Sequence, residues 1–143
     1  MTKIKTLDGI RQAKQEYSNL YNNKIAEIGV FFAFDEKQFN ENKTPKNAKD
    51  NEFISLGAGG YIWKGNLQKL QEYNAHGHQK EKQDFLKRIN KKAFILYELL
   101  NHEAFYTYEL DDTLDTLKDY YTDITEDEIS KVFRKHARKY ADF

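Results

Sequence analysis

Four groups of residues in this sequence have types and spacings that can do chemistry. The first is Gly57-Ala58-Gly59-Gly60, which follows the apolar stretch Phe53 to Leu56 and has Lys64 shortly after it. Glycine frees backbone N–H groups to cradle an anion and Lys64 would add charge, so Gly57, Gly59, Gly60 and Lys64 form a candidate anion site. A Walker-type phosphate loop needs Gly-Lys-Ser/Thr at the helix start, whereas this chain has Lys64-Gly65-Asn66. The competing reading is a tight turn or bulge that requires positive φ. The second group is His76, His78, His102 and His136. His76-x-His78 with Glu103 would offer a metal two imidazoles and an oxygen. A spacing of two does not put both rings on one helix face, however, and no His-Glu-x-x-His pattern occurs. The expectation is therefore no metal and no other cofactor. His102-Glu103 would serve proton transfer if a cleft held the pair.

The other two groups are blocks of charge. The 143 residues carry 23 basic and 23 acidic side chains, yet the balance is local. Lys64 to Lys92 holds eight basic residues against three acidic ones, with Tyr73, His76 and Phe85 interleaved, as a nucleic-acid face would. No nucleic-acid-binding motif accompanies it, and a pI near 6.9 is far from that of a basic binding domain. The competing reading is a solvated lysine face. Glu103 to Glu128 holds ten acidic residues opposed by Lys118 alone, and Lys131 to Lys139 is again basic. Helix N-termini account for Asp111, Asp112, Glu126, Asp127 and Glu128 through the dipole, but leave Asp115, Asp119 and Asp123 unexplained. A surface that docks on a basic partner accounts for all of them. The candidate docking residues are Asp111, Asp112, Asp115, Asp119 and Asp123, with the aromatic Tyr106, Tyr108 and Tyr120.

These groups need elements to position them. Leu7, Ile10, Ala13, Tyr17, Leu20 and Tyr21 recur at spacings of three and four, which predicts a helix from Leu7 to Ile25. Ile28 to Phe34 reads as a buried strand, Asp35 as the cap of a short helix through Glu41, and the polar stretch Asn40 to Glu52 with Pro45 as a loop. Phe53 to Leu56 and Tyr61 to Trp63 are further strands, the first of them able to pair with Ile28 to Phe34 across the polar loop. Helical spacing returns at Asn66 with Leu67, Leu70 and Tyr73 and is interrupted at His76-Gly77-His78. It then runs unbroken from Phe85 to Leu100 as the most apolar helix. Phe105 to Tyr108 reads as a strand. Asp111 or Asp112 starts an acidic helix, and Thr125 to Glu128 fits a capping box ahead of a last one. The expected fold is α+β and helix-rich, with four or more helices packed on a small antiparallel sheet, in a single domain spanning residues 1–143.

The absence of cysteine rules out a disulfide framework, thiol catalysis and cysteine-ligated metals. No run approaches about 18 apolar residues, so a cytoplasmic protein without membrane contact is expected. Taken together, Gly29 to Phe34 with Lys37-Gln38-Phe39, Ser55 to Ile62, Glu98 to Glu103 and Thr125 to Ile129 resemble an uncharacterised family of small phage and prophage proteins. The resemblance implies a mobile-element setting, in which small cysteine-free proteins bind and inhibit host machinery, immune nucleases included. The leading expectation is thus a protein that modulates a host factor, an anti-CRISPR or other anti-defence inhibitor being one form. Its partner would be a host protein or nucleoprotein complex with a basic surface. The alternatives are a small enzyme or anion-binding domain using Gly57 to Gly60, and direct nucleic-acid binding through Lys64 to Lys92.

Overall fold

The structure is a computed structural model and describes residues 2–141. Asp142, one of the charges counted above, lies outside the described residues. The chain forms two compact units, a middle unit of Tyr17–Glu81 and a terminal unit made of residues 2–16 and 82–141. The division falls within helix α1 (Leu7–Ile28) and within helix α4 (His78–Arg88). Helices dominate and a three-stranded antiparallel sheet accompanies them, so the fold is α+β and helix-rich, as expected. No helix among the described residues is long and apolar enough to cross a membrane.

The middle unit holds the sheet. Strands β1 (Phe31–Phe32), β2 (Phe53–Gly57) and β3 (Gly60–Trp63) lie in the order β1-β3-β2. The expected long-loop pairing of the first two strands is therefore replaced. β3 takes the centre, with Phe31 opposite Tyr61 and Ile54 opposite Ile62, because a tight turn delivers β3 directly beside β2. The first strand is also shorter than the apolar run suggested. Ile28 stays in α1, and Gly29, at φ +115°, turns the chain into β1. Asp35 caps α2 (Glu36–Asn42) by accepting from the Gln38 N–H at 2.7 Å. Alternation then sorts the side chains. Phe31, Phe53 and Tyr61 gather with Phe39 of α2, their ring centroids 5.2 to 5.8 Å apart. Ile62 packs with Ile25, Val30 and Leu70, the last on α3 (Leu67–Glu72). A single π-helical turn, Tyr73–Gly77, stands where the histidine-glycine interruption was expected.

The terminal unit is helical. The apolar run expected as one helix from Phe85 to Leu100 is two, α4 and α5 (Lys91–Asn101). Ile4 forms a bridge to Ile89, donating its N–H to the Arg88 carbonyl and accepting from Asn90 N–H, both at 2.8 Å. Asn90 then caps α5 by accepting from the Ala93 N–H. Phe94, Ile95 and Leu99 of α5 are fully buried, and α6 (Ala104–Thr107), α7 (Asp111–Lys118) and α8 (Glu126–Tyr140) pack on it. The strand expected at Phe105 to Tyr108 is the short helix α6, because Glu103 and Tyr108 take left-handed φ of +56° and +61° and close a turn at each end. Thr125 caps α8 as the capping pattern predicted, accepting from the Glu128 N–H at 3.2 Å.

Candidate functional site

In the terminal unit, α7 buries Thr113 and Leu117, half-buries Leu114 and Thr116, and turns its aspartates outward. Asp111, Asp112, Asp115 and Asp119 are exposed, and Asp123 is exposed in the turn before α8. None of the five takes part in an ion pair among the described residues. Asp111, Asp115 and Asp119 succeed one another at four-residue spacing, so like charges are stacked along one helix face, which destabilises a helix by roughly 0.2–0.5 kcal/mol per pair. Asp119 also sits at the C-terminal end, where the dipole favours cations. The acidic residues of α8 differ. Asp127 pairs with Lys131 at 3.2 Å and Glu128 with Lys91 at 2.9 Å.

The tyrosines divide. Tyr106 and Tyr108 are 84% and 53% exposed. Tyr120 packs its ring against Phe94 and Phe85, at 5.0 and 5.7 Å, and belongs to the interior of the unit. Part of the basic run is engaged within the same unit. Lys82 donates to the Asp119 carbonyl at 2.7 Å, and Arg88 pairs with Glu16 at 2.9 Å.

His102 meets a carboxylate other than the expected one. Glu103 sits exposed in its left-handed turn, while Glu98, one helical turn back on α5, is wholly buried. One Glu98 oxygen accepts from Lys14 Nζ at 2.5 Å, and the other lies 3.3 Å from His102 Nε2 and accepts from the Asn101 amide at 3.4 Å. Thr116 Oγ1 is also 3.0 Å from His102 Nε2. A hydroxyl-imidazole-carboxylate relay needs its two partners on opposite ring nitrogens. Here both meet the same nitrogen, so the arrangement ties α7 and α1 to α5 and does not activate Thr116. The signal for Glu98 was present in the sequence, as a lone carboxylate inside Phe94 to Leu100 with a histidine four residues on. Lys14, 84 positions away, left no such trace.

In the middle unit, Gly57 to Gly60 is the hairpin turn between β2 and β3. Ala58 and Gly59 at its centre have φ of +50° and +79°, the primed-turn geometry that matches strand twist. Lys64 lies at the far end of β3, about 13 Å along the strand from Gly60 at ordinary strand rise. The ring of Phe34 covers the turn, so that a Cβ at Gly59 would meet it at 2.5 Å. The four glycine-segment candidates are thus spread along a hairpin. At the turn end of the sheet a cleft of about 360 Å³ opens, with Ile25, Val30 and Leu70 at its base and Phe32 and Leu56 at its sides.

His78 stacks on Tyr17 and meets Tyr21 at a tilt, and the Tyr17 hydroxyl is 3.2 Å from Nε2. Tyr73 donates to Glu81 at 2.5 Å. Burial, with Glu81 close by, pushes the Tyr17 phenol up to about 12 and raises that of Tyr73 further, so both hydroxyls stay protonated. His76 is exposed outside this cluster. Burial, followed by Lys135 and Lys139, lowers the His136 imidazole. Among the described residues no three His, Asp or Glu side chains are disposed to hold a metal ion.

The chain belongs to a family of unknown function, DUF7659, whose model matches residues 13–139. No curated protein and no solved structure matches it.

Proposed function

We propose that this protein is an interaction protein that docks a partner protein with a basic surface on the acidic face of α7. The observation that carries the reading is the stripe Asp111, Asp115 and Asp119, with Asp112 and Asp123 beside it in sequence. These carboxylates are exposed and unpaired, and repel one another along a single face. The helix dipole explains Asp111 and Asp112 in the first turn, and nothing in the unit's own stability explains the rest, whereas a complementary surface would relieve the repulsion and steer association. Exposed Tyr106 and Tyr108 supply aromatic contact area of the kind that interfaces enrich. The resemblance to phage and prophage proteins supports a host protein in the cytoplasm as the partner, with inhibition of an immune nuclease as the narrowest form.

The test compares wild type with the Asp115→Lys, Asp119→Lys double variant, as bait in host lysate at low and moderate salt. The expected result is a basic protein captured by wild type, released as salt rises, and lost with the variant while its circular dichroism and melting stay unchanged. Equal capture by both baits would overturn the acidic-face reading.

A further inference from the structure

We infer that the cleft at the turn end of the middle unit's sheet is a binding site for a small, uncharged, planar heterocycle with an amide-type hydrogen-bonding edge, a nucleobase or close analogue.

Three observations converge on it. The cleft exists because Gly60 has no side chain on the face it shares with Ile62. A Cβ there would come within 3.3 Å of both the Phe32 ring and the Gly57 carbonyl, narrowing the space. The volume, about 360 Å³, falls in the range of small-ligand pockets, which are concave, mostly apolar and carry a few polar groups.

Second, the side walls are apolar and uncovered. Phe32 is 49% and Leu56 42% exposed, which leaves an aromatic face and an aliphatic side chain facing a slot that no other part of the unit fills. Phe32 lies across β3 from Leu56, so a flat ring entering between them would stack on one and lie against the other.

Third, the polar lining sets the chemistry. Among the described residues no charged side chain lines the cleft, so a phosphate or carboxylate would find no partner there, and Gly57 and Gly60 serve by making room. Asn22 and Asn74 line it, and neither carboxamide makes a hydrogen bond to the protein among the described residues. Each presents an acceptor and a donor side by side, the complement of an amide or nucleobase edge. Tyr21 stands on the same side with its ring held against Tyr73 and His78. Asn74 is placed by the π-helical turn, a distortion frequent at functional sites.

The test is ligand-observed saturation-transfer NMR on the full chain with adenine, uracil and nicotinamide, adenosine monophosphate being the charged comparison. The expected result is transfer to the ring protons of at least one neutral probe, with no gain from the phosphate. Asn74→Ala, on an exposed position that leaves the fold intact, should weaken binding about tenfold. Gly60→Leu should abolish it. If Gly60→Leu does not fold, Asn22→Ala with Asn74→Ala carries the same test. Absence of transfer from all three neutral probes to wild type would overturn the inference. So would binding unchanged in the asparagine variants, tighter binding of the monophosphate, or sedimentation showing Phe32 and Leu56 covered by a second copy of the chain.

Discussion

The two units carry equal charge and use it differently. The middle unit has eight basic and eight acidic residues interspersed along its length, and its cleft is lined by none of them. The terminal unit is also balanced, but its acidic residues are concentrated on and around α7 and its basic ones on α4 and α8. The interiors differ in parallel. Glu98 and Thr113, the buried polar side chains among the described residues, both belong to the terminal unit. Net charge is therefore a poor guide to how charge is placed in this chain. One neutral unit segregates its charges and the other intersperses them, so equal totals hide different fields.

That contrast can be broken most forcefully at the interior. Lys14→Met strips the buried Glu98 carboxylate of its closest cation and is expected to lower stability by about 4 kcal/mol, read by urea unfolding. Adding Glu98→Leu should recover much of the loss, since an apolar pair of similar volume needs no desolvation. A loss below about 1 kcal/mol would mean that the terminal unit does not depend on its buried charge.

The helix caps give a matched pair of intermediate size. Thr125→Ala in the terminal unit and Asp35→Ala in the middle unit should each cost about 1 kcal/mol, because each removes one side-chain acceptor from a first-turn N–H. Similar values would show that the units differ in charge placement and not in how their helices begin.

A smaller effect with the opposite sign is expected on α7. Asp115→Asn with Asp119→Asn should leave stability unchanged or raise it by about 0.5 kcal/mol, by removing like-charge neighbours. A clear loss would mean that the acidic face serves folding and not docking.

The smallest effect at neutral pH lies with the phenols, where the units agree. Burial, then Glu128, raises Tyr121 to about 12 from 10.0, and burial, then Glu81, does the same for Tyr17. A raised phenol favours the protonated form in the fold. Its contribution is thus complete below pH 10.0 and disappears as pH rises through about 12. Alkaline titration followed by tyrosinate absorbance should show both groups ionising late, and Tyr121→Phe should remove the terminal unit's share.

Much of the fold was legible because local rules sufficed. The spacing of Leu7 to Tyr21, the caps at Asp35 and Thr125, and the strands flanking the glycine turn all express preferences settled within a few residues. The sequence reading went astray where a distant residue decided. Phe85 to Leu100 has unbroken helical spacing, and it is Ile4 that takes the backbone groups flanking Ile89 and stops one helix before the next begins. Phe105 to Tyr108 has strand-like composition, but left-handed residues at both ends curl it into a helix. The acidic block from Glu103 to Glu128 was legible from residue type alone, while its four-residue stripe of Asp111, Asp115 and Asp119 becomes visible once the bounds of α7 are known. The contact of Tyr120 with Phe94 left no trace, because an aromatic residue at the exit of α7 reads the same whether it faces solvent or a neighbouring ring. The cleft left little signal, since it arises from a side chain that Gly60 lacks.

The split order of the terminal unit has a consequence for synthesis. Lys14 leaves the ribosome long before Glu98, and Ile4 long before Ile89, whereas every contact inside the middle unit is complete once Glu81 has emerged. A nascent chain can therefore finish the cleft-bearing middle unit first. The terminal unit gains its buried ion pair only when the second half of the chain has been made.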